Sequence, residues 1–575
     1  MNDFNPEIVI KNANVYNSYF KAFKKSDVYI LNGNFLYIDE NLNSNLKASK
    51  TIDANGKYMI PGLIDIHMHI ESSMVSPVNF SNHMAKCGVT TIVSEPHEMA
   101  NVAGIDGITA MIEAGKNSKI DIFYGIPSCV PASSEDLETT GGIINFEEMK
   151  ELKKIPEVAC VGEVMNYRQI IQPNNLEISK FIDYVKQEDP NFPIEGHCPQ
   201  LVDLDLAKFL YLGINADHTE HNLEEIRQRF ANGMFVEIQD KMLSPEIIQY
   251  IIENNLYEYF SFVTDDVMAD TLYYEGHLNC LLKKAISFGM KPEIAIYCST
   301  YTPSRRMNML DRGTLSPGKI ADFILLDNIE NFEIDSTYKR GNLIYNKEIS
   351  ENTQPNAKCF PKQLYNSIKL RHQNKNSLYI SVKEDIKNAN VNVMEINDNS
   401  TKTNLKNINM PLKNGLLDWK NSNCLLTAVY ERYGKNNNVG LGFLTGCCHK
   451  KGTVATSYAH DNHNILVAGS NIDDMILAVN RIIDLQGGMV VVDNGEIKAE
   501  LQLNVGGILS EKPVSLVAKD LLNVRNAMIE LGYEHYNPIM SFGTLTLTVS
   551  PTIKITDKGL IDVINSTICP LFNSI

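Results

Sequence analysis

Eight short apolar runs, each followed by a helix-patterned stretch, recur from about His67 to Thr302, and this alternation restricts the fold more than any other feature. Leu63–Met68 opens the series; then come Val89–Val93, Ile122–Ile126, Val158–Glu163, Phe192–His197, Ile214–His218, Met234–Ile238 and Tyr259–Asp265. Neighbouring strands joined through a helix run parallel, and eight such units over roughly 240 residues match the size of a (β/α)8 TIM barrel. That architecture gathers the C-terminal ends of all its strands on one face, so polar residues far apart in the chain become neighbours.

The run ends carry such residues. His67 and His69 close the first, Glu163 the fourth, His197 the fifth, His218 the sixth and Asp265 the eighth. Residues i and i+2 of a strand share a face, so the imidazoles of His67 and His69 can reach one ion. Pro61-Gly62 turns the chain into that strand, and Glu71-Ser72-Ser73 begins a polar loop after it. Taken singly, these histidines also read as surface or core-edge residues, Glu163 as a helix cap and Asp265 as a turn. Together, four imidazoles and two carboxylates at run ends point to a metal site.

The flanks read differently. Residues from about Glu7 to Ile60 alternate short apolar runs with turns such as Asn32-Gly33-Asn34 and Asn55-Gly56-Lys57, a small β unit that the strand ending Phe323–Leu326 completes. The predicted division is residues 1–60 and 310–350 as a split flanking β-sandwich, 61–309 as the barrel, 351–424 as a connector and 425–575 as a C-terminal α+β domain. Residues 383–423, rich in Asn and Lys, predict long turns or a mobile connector. Beyond them, Ile472 to Leu485 predicts an amphipathic helix ended by Gly487-Gly488, then a hairpin of Met489–Val492 and Ile497–Leu501 around Asp493-Asn494-Gly495. Gly313 to Lys319 fits the letters of a phosphate loop but not its chemistry. Ile320 replaces the hydroxyl residue that holds magnesium, Pro317 removes a backbone donor, and a strand follows where a helix is needed.

A net charge of −17 without a dense Lys/Arg block argues against nucleic acid as a partner. No basic-then-apolar leader and no run of about 18 apolar residues is present, so a membrane is not expected and the cytoplasm is the default location. Eleven cysteines without a CxxC pair indicate neither a disulfide framework nor a zinc ribbon.

The ordered set, with a β unit split around it, resembles the metal-dependent amidohydrolase superfamily. Within it the chain resembles the bacterial adenine deaminase family, in Pro61–Ser73, Glu95-Pro96-His97-Glu98, Gly196-His197-Cys198-Pro199, Thr264-Asp265-Asp266 and Ala459-His460-Asp461-Asn462-His463-Asn464. Glu163 stands where many binuclear relatives carry a carboxylated lysine, which counts against a dihydropyrimidinase or hydantoinase. No PCxxC is present, which separates the chain from the zinc deaminases acting on cytosine or nucleic-acid bases.

The resemblance implies hydrolytic deamination of free adenine at C6 to hypoxanthine and ammonia, in purine salvage. It implies His67, His69 and Asp265 on one divalent ion, His197 and His218 on a second, and Glu163 between them. Manganese or iron is implied, and zinc suits the same donors. The implied catalytic residues are Asp265 as proton acceptor, Glu71 as the acid at purine N1, and His218, which takes an acid/base or supporting role if a single ion suffices. Glu71 reads equally as a loop hydrogen-bonding residue. His97 and Glu98 would line the pocket or support a ligand from behind; His460 and His463 would close the pocket as a domain contact or form a structural turn. A homo-oligomer, dimer or larger, is implied as well. The alternatives are another amidohydrolase, acting on a cyclic amide or a different aminated heterocycle, and a non-catalytic assembly protein on the same fold.

Overall fold

The computed structural model describes residues 4–173, 176–348, 358–382, 387–413 and 415–574. Each of the eight apolar runs contains a strand: β1 (Leu63–Met68), β2 (Val89–Ser94), β3 (Asp121–Ile126), β4 (Val158–Val164), β5 (Ile194–Gly196), β6 (Ala216–Asp217), β7 (Phe235–Ile238) and β8 (Phe260–Phe262). Strands β1 and β2 are buried at every position, as strands covered on both faces require. This explains why these runs read as continuously apolar rather than alternating.

Strands β1 to β5 form a five-stranded parallel sheet in chain order, and β6 to β8 a three-stranded parallel one. The sheets approach each other at both pairs of edges. The Asn215 N–H donates to the Ile194 carbonyl at 3.4 Å; on the other side Met68 and Asp265 form a parallel bridge and the Asp265 N–H donates to the His67 carbonyl at 3.1 Å. The result is a mixed α/β unit around a curled parallel sheet. Helices follow its strands, among them Pro77–Lys86, His97–Gly115, Phe146–Lys153, Glu177–Glu188, Asp203–Tyr211, Leu223–Ala231, Pro245–Glu253 and Leu278–Ser287.

Segments on either side of this unit meet in one eight-stranded sheet, where Phe323–Asn328 runs antiparallel to Tyr58–Pro61, pairing Phe323 with Pro61 and Leu326 with Tyr58. The chain thus leaves this sheet at Pro61, builds the parallel unit, and returns beside its point of departure.

The C-terminal part is sheet-rich, with ten strands in its largest sheet. Helix Ile472–Leu485 buries Met475, Val479, Ile482 and Ile483 of the predicted stripe, with Ala478 buried where Ile476, also expected, is only half-buried, and Gln486 ends it in the left-handed region at φ 58°. The expected hairpin is present as Gly488–Asp493 and Glu496–Gln502. The Asn/Lys-rich stretch is a correction: instead of long turns it holds a hairpin of Asn388–Ile396 and Thr403–Lys413, registered from Asn388 with Pro411 to Ile396 with Thr403. Its first strand buries Val391, Val393 and Met394, whereas the polar residues of the second, Thr403 apart, face solvent. Backbone pairing satisfies the ladder whatever the outward side chains are, so composition alone misread it. Residues 351–357, 383–386 and 414 of the expected connector, and 349–350 at the end of the expected β-sandwich, lie outside the described residues. Among the described residues no helix is long and apolar enough to cross a membrane.

Candidate metal centre

The six donors named from the run ends converge. From β1, His67 Nε2 and His69 Nε2 lie 3.9 and 3.5 Å from Asp265 Oδ1. From β4, Glu163 turns Oε1 to His69 Nε2 at 3.6 Å and Oε2 to His197 Nδ1 at 2.6 Å and His218 Nε2 at 3.2 Å. His197 Nδ1 and His218 Nε2 are 3.2 Å apart, and the His67 and His218 rings stack at 3.6 Å. Donor atoms of His67, His69 and Asp265, and likewise of Glu163, His197 and His218, fall within 4.8 Å of one another. Glu163 therefore belongs to the second group and turns its other oxygen towards His69 of the first.

Local structure aims these side chains. Asp265 follows β8 at φ 57°, a conformation that Asp tolerates better than most residues, and this turns its carboxylate towards the end of β1. Gln239, just past β7, donates to Asp265 Oδ2 at 2.8 Å and to the His218 carbonyl at 2.9 Å. His69 Nδ1 meets the Glu95 carbonyl at 3.1 Å, leaving Nε2 for the site. Glu95 in turn accepts from the Glu163 N–H at 2.7 Å. Its carboxylate occupies the space beside Gly162, where an added Cβ would lie 2.4 Å from the carboxyl carbon. A glycine is required one residue before Glu163 for steric reasons alone.

A buried network stands behind the pair His197 and His218. Asp217 Oδ2 accepts from Arg229 Nε at 2.8 Å and meets His221 Nε2 at 2.7 Å, while Arg229 Nη2 donates to the Cys198 carbonyl at 2.8 Å. Asp217 and Cys198 each adjoin a histidine of the site, so this network sets the spacing of two strand ends.

The electrostatics of the protein alone show strong opposing terms. Burial would raise Glu163, but the charges of and hydrogen bonds to His197 and His218 hold it well below the usual carboxylate range. Burial and the Glu163 charge push Glu95 up to about 8, and burial pushes Glu71 up to about 7. His67 Nε2, His97 Nδ1 and His218 Nδ1 are buried without a hydrogen-bond partner among the described residues. Imidazole nitrogens and carboxylate oxygens, converging and partly unpaired, are a donor set that fits divalent cations.

The remaining candidates surround this centre. His97 bridges outward: Nδ1 lies 3.8 Å from Glu163 Oε1 and Nε2 3.6 Å from Glu98 Oε1. Glu98 is held by the C-terminal domain, His460 Nδ1 on one oxygen and His463 Nε2 on the other. The His463 tautomer follows from its neighbours: Nδ1 accepts the Ala459 N–H at 3.2 Å, so the proton is on Nε2 and goes to Glu98. Burial lowers the pKa of His463, whereas for His460 the Glu98 charge overcomes burial and lifts it to about 9. The same carboxylate overcomes burial at His97 and raises it as well. The C-terminal motif thus meets Glu98 at the edge of the candidate donors. Glu71 Oε1 accepts from the Met99 N–H at 3.4 Å, and its Oε2 has no hydrogen-bond partner among the described residues.

Sequence reading passed over Glu95, Gln239 and Asp461, and the network of Asp217 with Arg229. Glu95 directly follows the second strand and Gln239 the seventh, so the strand-end argument could have reached both, whereas Asp461 lies in a loop of the C-terminal part, inside a motif that was quoted. Arg229 carries no such signal: a helical arginine reads as solvated, yet this one is fully buried.

Residues 58–344 match the amidohydrolase family and residues 400–567 the adenine deaminase C-terminal domain. A protein named adenine deaminase from Clostridium perfringens is 49% identical over 569 residues, covering 98% of this chain and 99% of that protein. One named adenine deaminase 2 from Shouchella clausii is 47% identical over 98% of this chain and 99% of its own length, and an adenine deaminase from Kosmotoga olearia is 33% identical over 98% and 96%. With its motifs, its split sheet and both matched regions in the same order, the chain belongs to the adenine deaminase family.

Proposed function

We propose that the protein hydrolyses the C6–N bond of free adenine, giving hypoxanthine and ammonia, within purine salvage in the cytoplasm. The observation that carries this reading is Glu163, with one oxygen towards His69 of the group His67, His69 and Asp265 and the other towards His197 and His218, in a chain alike to adenine deaminases over its whole length. We assign His67, His69 and Asp265 to one divalent ion, His197 and His218 to a second, and Glu163 to both. Manganese or iron is the proposed metal, with zinc compatible. Such ions, when bound, lower the pKa of water towards neutrality and so supply the nucleophile.

The residues divide the proton work. Asp265, steadied by Gln239, accepts a proton from the attacking water and passes it to the departing amino group. Glu71, which burial pushes towards its protonated form, donates to purine N1 as C6 becomes tetrahedral. His218 backs the same step beside Asp265. His97 and Glu98 brace Glu163 and the pocket edge, and His460 and His463 bring the C-terminal domain against them. In the same reading the eight strands close as a (β/α)8 barrel over 61–309, flanked by the β-sandwich of 1–60 and 310–350. The hairpin Asn388–Lys413 then belongs with the C-terminal α+β domain rather than with the connector of 351–424. The enzyme acts as a homo-oligomer.

The test incubates metal-loaded protein with adenine, adenosine, guanine and dihydroorotate and measures ammonia and the ultraviolet spectrum. Ammonia from adenine alone is expected; release from adenosine but not adenine refutes the free-base reading. Full activity at one equivalent of metal refutes the two-ion assignment. Asp265→Asn should lower kcat at least 10²-fold, the low end of general acid/base contributions; near-normal turnover removes Asp265 from that role.

A further inference from the structure

Metal donors explain some of the buried polar atoms that lack a partner, but not two on consecutive residues of the C-terminal loop, His460 Nε2 and Asp461 Oδ2. Both side chains are buried, at 5% and 2% exposure. The loop that holds them is anchored: the His460 N–H donates to the Gly543 carbonyl at 2.9 Å, Thr546 Oγ1 donates to the His460 carbonyl at 2.6 Å, and the Tyr458 ring packs edge-on against the His460 ring at 4.8 Å. Glu98 takes the other nitrogen of His460, so Nε2 is fixed in direction and left unpaired. Donor atoms of Asp461, His97 and Glu98 lie within 4.8 Å of one another, and His97 reaches Glu163 at 3.8 Å. Asp461 therefore sits one side chain, His97, from Glu163, and His460 two, through Glu98 and His97. Buried polar atoms without partners are unfavourable, and two on consecutive residues of one anchored loop mark a place where a ligand completes the bonding.

We propose that His460 and Asp461 read the N3/N9–H edge of free adenine, His460 Nε2–H donating to N3 and Asp461 Oδ2 accepting from N9–H, and so separate the free base from its N9-substituted forms. The inference rests on the adenine reading above. With C6 turned to the metal donors, N3 and N9 are on the far side of the ring system and present an acceptor beside a donor. The two loop atoms offer the complementary donor beside an acceptor, and Asp461 accepts the N9–H whether its carboxyl is ionised or not. A substituent at N9 removes that hydrogen and strands the Asp461 oxygen in a buried place. Sites built to bond a group reject analogues lacking it by about 10⁴–10⁵-fold.

The test compares adenine with 9-methyladenine as substrates, and hypoxanthine with 9-methylhypoxanthine as ligands in titration calorimetry, in wild type, Asp461→Leu and Asp461→Asn. Wild type should prefer the unsubstituted member of each pair at least 100-fold. Asp461→Leu should lower kcat/KM for adenine and affinity for hypoxanthine about 10- to 1000-fold while leaving the 9-methyl compounds as weak as before, so that the ratio collapses. Asp461→Asn keeps an acceptor oxygen and should retain most of the preference. A ratio unchanged in Asp461→Leu overturns the assignment, whether or not both activities fall together. Should Asp461→Leu fail to fold, wild type decides: 3-deazaadenine, which lacks the acceptor, must bind at least 10-fold more weakly than adenine, and equal binding overturns the N3 contact. Adenine turnover with an unchanged ratio sinks this inference alone, whereas no adenine turnover at all sinks the proposed function with it.

Discussion

Replacing Glu98 by glutamine tests the junction between the two halves of the site. Glu98 is 1% exposed, with one imidazole on each oxygen and His97 Nε2 at 3.6 Å. Glutamine keeps the shape but leaves the buried His460 cation facing an amide. Removing one partner of a buried ion pair costs about 3–5 kcal/mol. Returning His460 from about 9 to its ordinary value of 6.5 corresponds to about 3 kcal/mol, in the same range. The pH dependence has a defined sign. The folded pKa of His460 is raised, so its contribution is complete below about 6.5 and disappears as pH rises through about 9. The folded pKa of Glu98 is depressed, so its contribution is present above about 4.5 and is lost as pH falls through the folded value. Urea unfolding of wild type and Glu98→Gln at fixed metal concentration should therefore differ most between pH 5 and 6.5 and least near pH 9 or above. A difference below 1 kcal/mol at pH 6, or one of equal size at pH 6 and pH 9.5, would refute the ion-pair account.

Further outcomes follow from neighbouring parts of the structure. Arg229→Lys cannot hold both Asp217 and the Cys198 carbonyl, so metal affinity should fall about 10- to 100-fold, read as metal retained against a graded chelator buffer; unchanged retention contradicts the positioning role of this network. Gly162→Ala places a methyl group against the Glu95 carboxylate and should cost about 1–3 kcal/mol in urea unfolding, together with lost turnover; a neutral substitution would show that Glu95 moves freely. Chelation should lower the thermal midpoint, because metal at 100 times its Kd adds about 2.7 kcal/mol of stability, and readdition should restore it. A midpoint indifferent to metal would remove the ions from the folded site.

The eight strands were legible because each is a short apolar run between helical patterns, and parallel strands covered on both faces need nothing subtler. The six donors were legible for a related reason: a polar residue that ends such a run is placed at a strand end by the local pattern itself. The Asn/Lys-rich hairpin was not, because the backbone of Thr403–Lys413 pairs while its polar side chains, Thr403 apart, face solvent, and composition records only the side chains. Arg229 was not legible either, since its burial depends on Asp217 and Cys198, neither of which adjoins it in the chain.

By itself, then, the sequence determined which residues stand at strand ends and that four imidazoles and two carboxylates were among them. Only the tertiary structure decided that Glu163 turns one oxygen to His69 and the other to His197 and His218, and that Glu98 is claimed by two histidines more than 360 positions further along. Strand ends are set by local hydrophobic pattern. The direction of a carboxylate and the protonation of an imidazole are set by whatever packs against them, and at this site much of that comes from another domain.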